Sequence, residues 1–254
     1  MLPGVSYNCF ADDIQLQLQC APEDLAWGIQ TMNNQLMRIL DWSQTINLLL
    51  NPVKTQTIVL GSQRLLRTVD FHLLPPILIG ASVIPLSETV VSLGLTVDQT
   101  LHWRQQTLIT CKKVYGSLHS LYRMKNMLSQ KTKAHLVQTL VFPMFDYCSV
   151  AMCDMKQEFK QRLQRCMNSC VRFIFNVRKR EHITPYYREL KWLKLPDRWK
   201  LQMALLLFKT IQSKSPPYLS DLLQPLSGSH DRVTRAGNKL KIAPHKTDFF
   251  INLI

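Results

Sequence analysis

Two adjacent aspartates near the start of the chain, Asp12 and Asp13, sit between runs that alternate apolar and polar residues. Val5, Tyr7 and Cys9 alternate with Ser6 and Asn8 before them, and Ile14, Leu16 and Leu18 alternate with Gln15, Gln17 and Gln19 after them. Strict alternation marks a half-buried strand, because successive side chains leave a strand on opposite faces. The pattern predicts a hairpin with Ala11-Asp12-Asp13 at its tip. A lone Asp-Asp is a frequent turn dipeptide, since aspartate bonds its own backbone and tolerates turn geometry. Two neighbouring carboxylates also repel, so a fold that keeps both at one tip needs something cationic or solvating opposite. A divalent ion in an all-oxygen shell meets that need.

After this hairpin, Pro22-Glu23-Asp24 reads as the first turn of a helix, with carboxylates at the positive end of the dipole. Leu25, Ile29, Met32, Leu36 and Ile39 recur at helical spacing, giving a core-facing stripe to about Trp42. The chain then turns at Pro52, carries Lys54 on that turn, and reads as a strand over Gln56 to Leu60. Residues 69–98 read as short strands broken by Pro75-Pro76, Gly80 and Pro85, and Gly94 marks a bulge, a close backbone approach or a tight corner. From Trp103 the period becomes helical. Cys111, Val114, Leu118 and Leu121 form one stripe, and Ser129 caps a second helix with Leu136, Leu140 and Val141 inward. A third helix from about Asp154 turns Phe159, Leu163, Cys166, Cys170 and Phe173 inward. Lys156, Lys160, Arg162, Arg165 and Arg172 lie on its other face, and Arg178-Lys179-Arg180 follows. Thr184-Pro185 and Leu195-Pro196 start further helices, and Pro216-Pro217 ends the last long one.

Phe10-Ala11-Asp12-Asp13 in a hairpin resembles the metal-binding motif of reverse transcriptases, in the form used by non-long-terminal-repeat retrotransposons of the jockey-like insect type. Further stretches agree in order: Leu50-Asn51-Pro52-Val53-Lys54-Thr55 resembles the lysine motif, and Val91-Ser92-Leu93-Gly94-Leu95-Thr96-Val97-Asp98 resembles the primer-grip hairpin. Leu136 to Pro143, Asp146-Tyr147-Cys148 and Ser215-Pro216-Pro217-Tyr218-Leu219 resemble the helical region after the palm. The resemblance covers nearly the whole chain. It implies an α+β fold: a partial palm sheet over 1–100, a helical, basic thumb-like domain over 103–226, and a loose or incomplete tail over 227–254.

The same resemblance implies RNA-directed DNA polymerisation. Asp12 and Asp13 would hold two Mg²⁺ or Mn²⁺ ions about 3.5–4 Å apart. Lys54 would assist the leaving pyrophosphate as an acid. Leu93 and Gly94 would hold the primer end. In the family the first catalytic aspartate and the fingers precede the Ala-Asp-Asp hairpin, and here nine residues precede Phe10. The expectation is therefore a late-palm, primer-grip and thumb portion that binds its metals only when the other half is supplied.

Charge points the same way. The net charge of +14 is segregated: residues 1–103 hold four basic and eight acidic side chains, and residues 104–254 hold 27 basic and nine acidic. An electronegative tip and an electropositive second half suit a metal site and a nucleic-acid cradle. An RNA template, a DNA primer or an RNA–DNA hybrid is the expected partner, with Lys156, Lys160, Arg162, Arg165, Arg172, Arg178, Lys179 and Arg180 on its backbone. Two other readings stand beside this one: a non-catalytic nucleic-acid-binding remnant, and a helical protein whose basic face docks an acidic partner. No apolar run reaches about 18 residues, so no membrane span is expected. Met1-Leu2-Pro3 lacks the basic start of a secretory signal, and seven irregularly spaced cysteines read as reduced thiols, so the expected location is intracellular, cytoplasmic or nuclear. Cys148, Cys153, Cys166, Cys170 and His182 lack the two-residue spacing of a zinc ribbon.

Overall fold

The computed structural model of the chain describes residues 4–223. The tail over 227–254 lies outside the described residues. The chain divides into two compact units, Met1–His102 and Trp103–Ile254, and the fold is α+β.

In the first unit, strands β1 (Val5–Phe10) and β2 (Asp13–Leu18) pair antiparallel from Val5↔Leu18 to Phe10↔Asp13. A 3-10 turn over Pro22–Asp24 leads into helix α1 (Leu25–Thr45), a turn longer than its apolar stripe suggests. Ile29 is the buried centre of that stripe. It meets Ile77, Ile79 and Ile84, with Leu25, Leu36, Leu40, Leu50, Leu74 and Leu86 packed around them. The isoleucines belong to a second hairpin, β3 (Ile77–Ile79) and β4 (Ser82–Ile84), lying on α1. Asn33 fastens the two: its Nδ2 donates to the Pro76 carbonyl at 2.9 Å, and its Oδ1 accepts from the Leu78 amide at 3.0 Å. One side chain thus plays the part of an extra backbone peptide at the edge of β3.

A third hairpin pairs β5 (Thr89–Ser92) with β6 (Leu95–Asp98). The short helix α2 (Gln63–Leu66) is capped by Ser62, whose Oγ accepts from the Leu65 amide. Two expectations change here. Strands pair only within the three hairpins, so the described residues hold three separate ribbons instead of one palm-like sheet. The stretch Gln56 to Leu60 also forms no strand. Its ladder stops at one parallel bridge, Thr57↔Leu86, because no partner strand continues beside it.

The second unit is helical among the described residues: α3 (Arg104–Tyr122), α4 (Gln130–Leu140), α5 (Phe142–Asp146), α6 (Gln157–Phe175), α7 (Thr184–Glu189), α8 (Leu195–Ser213) and α9 (Pro217–Ser220). Helix α6 lies at the centre and touches α3, α4, α7 and α8. It buries Leu163, Cys166, Met167, Cys170, Val171, Phe173 and Ile174. Phe173 meets Tyr122 edge-on at 5.1 Å and lies 5.7 Å from the Lys133 Nζ, whose stem is buried with it. On α4, Ser129 caps as expected, accepting from the Thr132 amide at 3.1 Å. The inward face of α4 is Lys133 and Val137, with Val141 following, while Leu140 points out at 48% exposure. Apolar type and aliphatic spacing favoured Leu140. A lysine stem can cover the same apolar surface while its ammonium reaches an aromatic face.

Helix α8 is seated by polar contacts. Gln164 on α6 accepts from the Leu195 amide at 2.7 Å and donates to the Tyr187 hydroxyl at 2.8 Å. Arg198 forks onto both oxygens of Asp146 at 2.7 and 2.5 Å and stacks 4.5 Å over Phe142. Trp199 Nε1 donates to the Phe145 carbonyl at 3.0 Å, and Ser149 Oγ donates to Gln202 Oε1. The same contacts explain Asp146, singled out by its motif: its carboxylate holds α8 against α5.

Truncating Phe173 to Ala removes a fully buried ring from the centre of the second unit. It should destabilise that unit by about 3–5 kcal/mol. Leu140→Ala should cost less than about 1 kcal/mol, because its side chain is half in water. Urea unfolding followed by far-ultraviolet circular dichroism measures both.

Candidate functional site

The register of the first hairpin ends at Phe10↔Asp13, so the connection is the two-residue turn Ala11-Asp12. Such turns match the twist of the flanking strands and place a residue at positive φ, here Ala11 at +53°. Asp13 opens β2 instead of sharing the turn. The foot of the hairpin is fixed: Val5 is buried, and Leu18 and Cys20 press on α1 at Gly28. A methyl group at Gly28 would lie 3.1 Å from the Cys20 sulfur, closer than ordinary packing allows. The tip is the opposite. Both carboxylates are exposed, and neither has a hydrogen-bond or ion-pair partner among the described residues. Hard, accessible, uncommitted oxygens fit a Mg²⁺ or Mn²⁺ ion. Among the described residues no third Asp, Glu, His or Cys gathers with them to complete a shell.

Lys54 sits on a turn organised by Asn51. The Asn51 Oδ1 accepts from the Val53 and Lys54 amides at 3.0 and 3.2 Å, and its carbonyl accepts from the Thr55 hydroxyl at 2.9 Å. An asparagine that satisfies successive amides in this way fixes a tight turn and leaves the lysine exposed. Leu93 and Gly94 form the turn of the third hairpin, at φ +46° and +78°. Two positive φ values in a two-residue connection are what glycine at the second position permits. Gly94 is therefore a turn residue between two strands and not a bulge within one.

Two side-chain amides draw these three places together. Gln15, two residues past Asp13, donates from Nε2 to the Ser92 hydroxyl at 2.6 Å. Gln56, two residues past Lys54, accepts from the Val91 amide at 2.8 Å. The β5–β6 hairpin thus lies between the carboxylate hairpin and the lysine turn and is tied to each. Sequence reasoning passed over both glutamines. Gln15 fell on the polar side of an alternating strand, where solvation is the default, and nothing local marks a partner 77 residues away.

The eight basic residues expected on the nucleic-acid backbone separate into three groups. Arg162, Arg165, Arg178, Lys179 and Arg180 are exposed. Lys156 is exposed too, but it stands at the N-cap of α6, one position before the helix. Lys160 and Arg172 do not join an open face. At 3.6 residues per turn, position 160 falls on the stripe of Met167 and Val171, both fully buried, so Lys160 is half-buried on the apolar side. Arg172 is committed: its guanidinium donates to the Lys179 carbonyl at 3.2 Å, and its buried Nε has no hydrogen-bond partner. The expected five-residue basic face is thus reduced on the helix itself to Arg162 and Arg165, and the Arg178-Lys179-Arg180 loop is pinned back to the helix by Arg172. Among the described residues no helix is long and apolar enough to cross a membrane.

No family model, curated protein or solved structure matches this chain.

Gln56→Ala removes the acceptor that holds the Val91 amide. A neutral hydrogen bond is worth about 0.5–1.5 kcal/mol net, so protection of that amide should fall roughly two- to tenfold. Hydrogen exchange read residue by residue measures it, with the amides of β1 as an unchanged reference.

Proposed function

We propose that the chain supplies the metal-binding hairpin, the primer-gripping hairpin and the thumb of an RNA-directed DNA polymerase of non-long-terminal-repeat retrotransposon type. The observation that supports this reading is the pair of bonds from Gln15 to Ser92 and from Gln56 to Val91. Three motifs that the resemblance assigns to one reaction are joined in one unit by contacts that no sequence spacing required. A Mg²⁺ ion held there would supply the charge that activates the primer hydroxyl and neutralises the departing phosphates. Asp12, in the turn, would hold the ion with its exposed carboxylate, and Asp13 would add charge beside it. Lys54 brings an ammonium on a rigid turn and can give a proton to the leaving pyrophosphate. The tight Leu93-Gly94 turn gives the primer end an exposed apolar side chain to rest on. Arg162, Arg165, Arg178, Lys179 and Arg180 lie against the phosphates of a template–primer duplex, which position without specifying sequence.

Binding of Mn²⁺ to a polypeptide carrying the upstream aspartate of the family is the direct test of the hairpin, read by its paramagnetic resonance signal. Asp12→Asn keeps the size and removes the charge, and should weaken Mn²⁺ binding at least tenfold. Binding equal to that of the unaltered chain would remove Asp12 from the site. Primer extension on an RNA template tests the reaction. It is run with a polypeptide carrying the upstream aspartate of the family added. Asp12→Asn should abolish extension, and Lys54→Ala should slow single turnover by about 10²–10⁴.

A third measurement tests the second unit alone in its role. The log of the affinity for an RNA–DNA hybrid should fall with log salt, by about 0.9 per phosphate contact on duplex DNA. Arg162→Ala and Arg165→Ala should each flatten the slope by roughly that amount if their side chains lie on phosphates. Lys160→Ala, on the packed side, should leave it unchanged. A slope near zero for the unaltered chain favours the partner-docking reading over both nucleic-acid readings. Salt-dependent binding without extension favours the non-catalytic one.

A further inference from the structure

The seven cysteines are free thiols, and two of them meet. Cys111 on α3 and Cys166 on α6 place their sulfurs 3.3 Å apart, with the Cys166 thiol donating to Cys111. They are 55 residues apart in sequence and face each other across the packed α3–α6 contact. The nearby Cys170 does not compete, because its thiol is turned to the Cys166 carbonyl at 3.3 Å. Both are buried, and Cys111, with 7% of its surface in water against 1% for Cys166, is the nearer of the two to solvent.

We propose that Cys111 and Cys166 form a dithiol that hydrogen peroxide converts into a disulfide, stapling α3 to α6. Sulfurs at 3.3 Å need to close to about 2.05 Å, a distance that rotation about the two Cα–Cβ bonds can cover in part and small helix shifts can complete. The environment assigns the order of events. The hydrogen bond from Cys166 draws the Cys111 thiol below its ordinary range, burial opposes this, and the Arg162 charge adds to the lowering. Cys111, nearer to solvent and beside the Arg162 charge, is the nucleophile. Its thiolate attacks one peroxide oxygen and the O–O bond breaks. Sulfenic acid forms at Cys111, and the displaced oxygen leaves as water after taking up one proton from the solvent. The Cys166 thiol then attacks the sulfenic sulfur, giving the S–S bond and a second water. The two thiols together lose two electrons and two protons, and a dithiol reductant restores them.

The test uses the full chain, reduced, freed of reductant and treated with hydrogen peroxide. Remaining thiols are alkylated in denaturant, and the unreduced digest is analysed by mass spectrometry. The expected result is a linked pair of peptides carrying Cys111 and Cys166, about 2 Da lighter than their sum, lost on reduction. Free thiols should fall by two. In Cys166→Ser the link should vanish and Cys111 should accumulate as sulfenic acid, trapped by dimedone. Folding of that variant is checked by circular dichroism, and the linked peptide in the unaltered chain does not depend on it. Full alkylation of Cys111 and Cys166 while exposed Cys9 and Cys148 are oxidised would overturn the proposal. So would disulfides formed only between chains on a non-reducing gel.

Discussion

The hairpins of the first unit have only two strands each, and a two-stranded ribbon is marginal in water by itself. Everything in that unit follows from where each ribbon finds its support. The β3–β4 ribbon lies on α1, where three isoleucines meet Ile29 and Asn33 completes the backbone bonding. The β1–β2 ribbon is packed at its foot, by buried Val5 and by the close approach of Cys20 to Gly28, and tethered further up by the bond from Gln15 to Ser92. Its tip is left in water with two uncommitted carboxylates. The packing that holds the hairpin and the two exposed carboxylates lie at opposite ends of the same six-residue strands.

The second unit solves the opposite problem. A single helix, α6, is surrounded on so much of its circumference that little of it remains for charge. Seven of its side chains are buried, and the lysine at position 160 is drawn onto the packed side. Basic character therefore moves to the helix border and to the loop after it. Arg172 holds that loop through the Lys179 carbonyl, so one arginine of the cluster acts as a support for the others.

Much of this was legible in the residues. Alternation around Asp12 and Asp13 gave the first hairpin, prolines gave the starts of α7 and α8, and Ser129 gave the start of α4 with its cap bond. These signals are local, so a reading of neighbours recovers them. Failures came where a distant partner decided. Leu140 is apolar and points out because Val137 and the stem of Lys133 already fill the space against α6. Gln56 to Leu60 has strand-forming residues but only Leu86 to pair with. Gly94 was open to three readings, a bulge, a close approach or a tight corner, and the corner is what the two-residue turn between β5 and β6 makes of it. For the candidate site, Asp12, Asp13 and Lys54 were visible as residues. Gln15 and Gln56, which tie their hairpins together, were not, since an amide on a polar face carries no sign of its partner.

Those two amide links have a mechanical meaning. A backbone ladder fixes neighbouring strands at about 4.8 Å and allows little change of angle. A single glutamine reaching to a hydroxyl or an amide is a tether with several rotatable bonds. At a net worth of about 1 kcal/mol, such a tether is broken roughly one-sixth of the time at room temperature. The carboxylate hairpin, the Leu93-Gly94 hairpin and the lysine turn are thus joined as parts of a compliant joint, able to tilt against one another while each keeps its own shape.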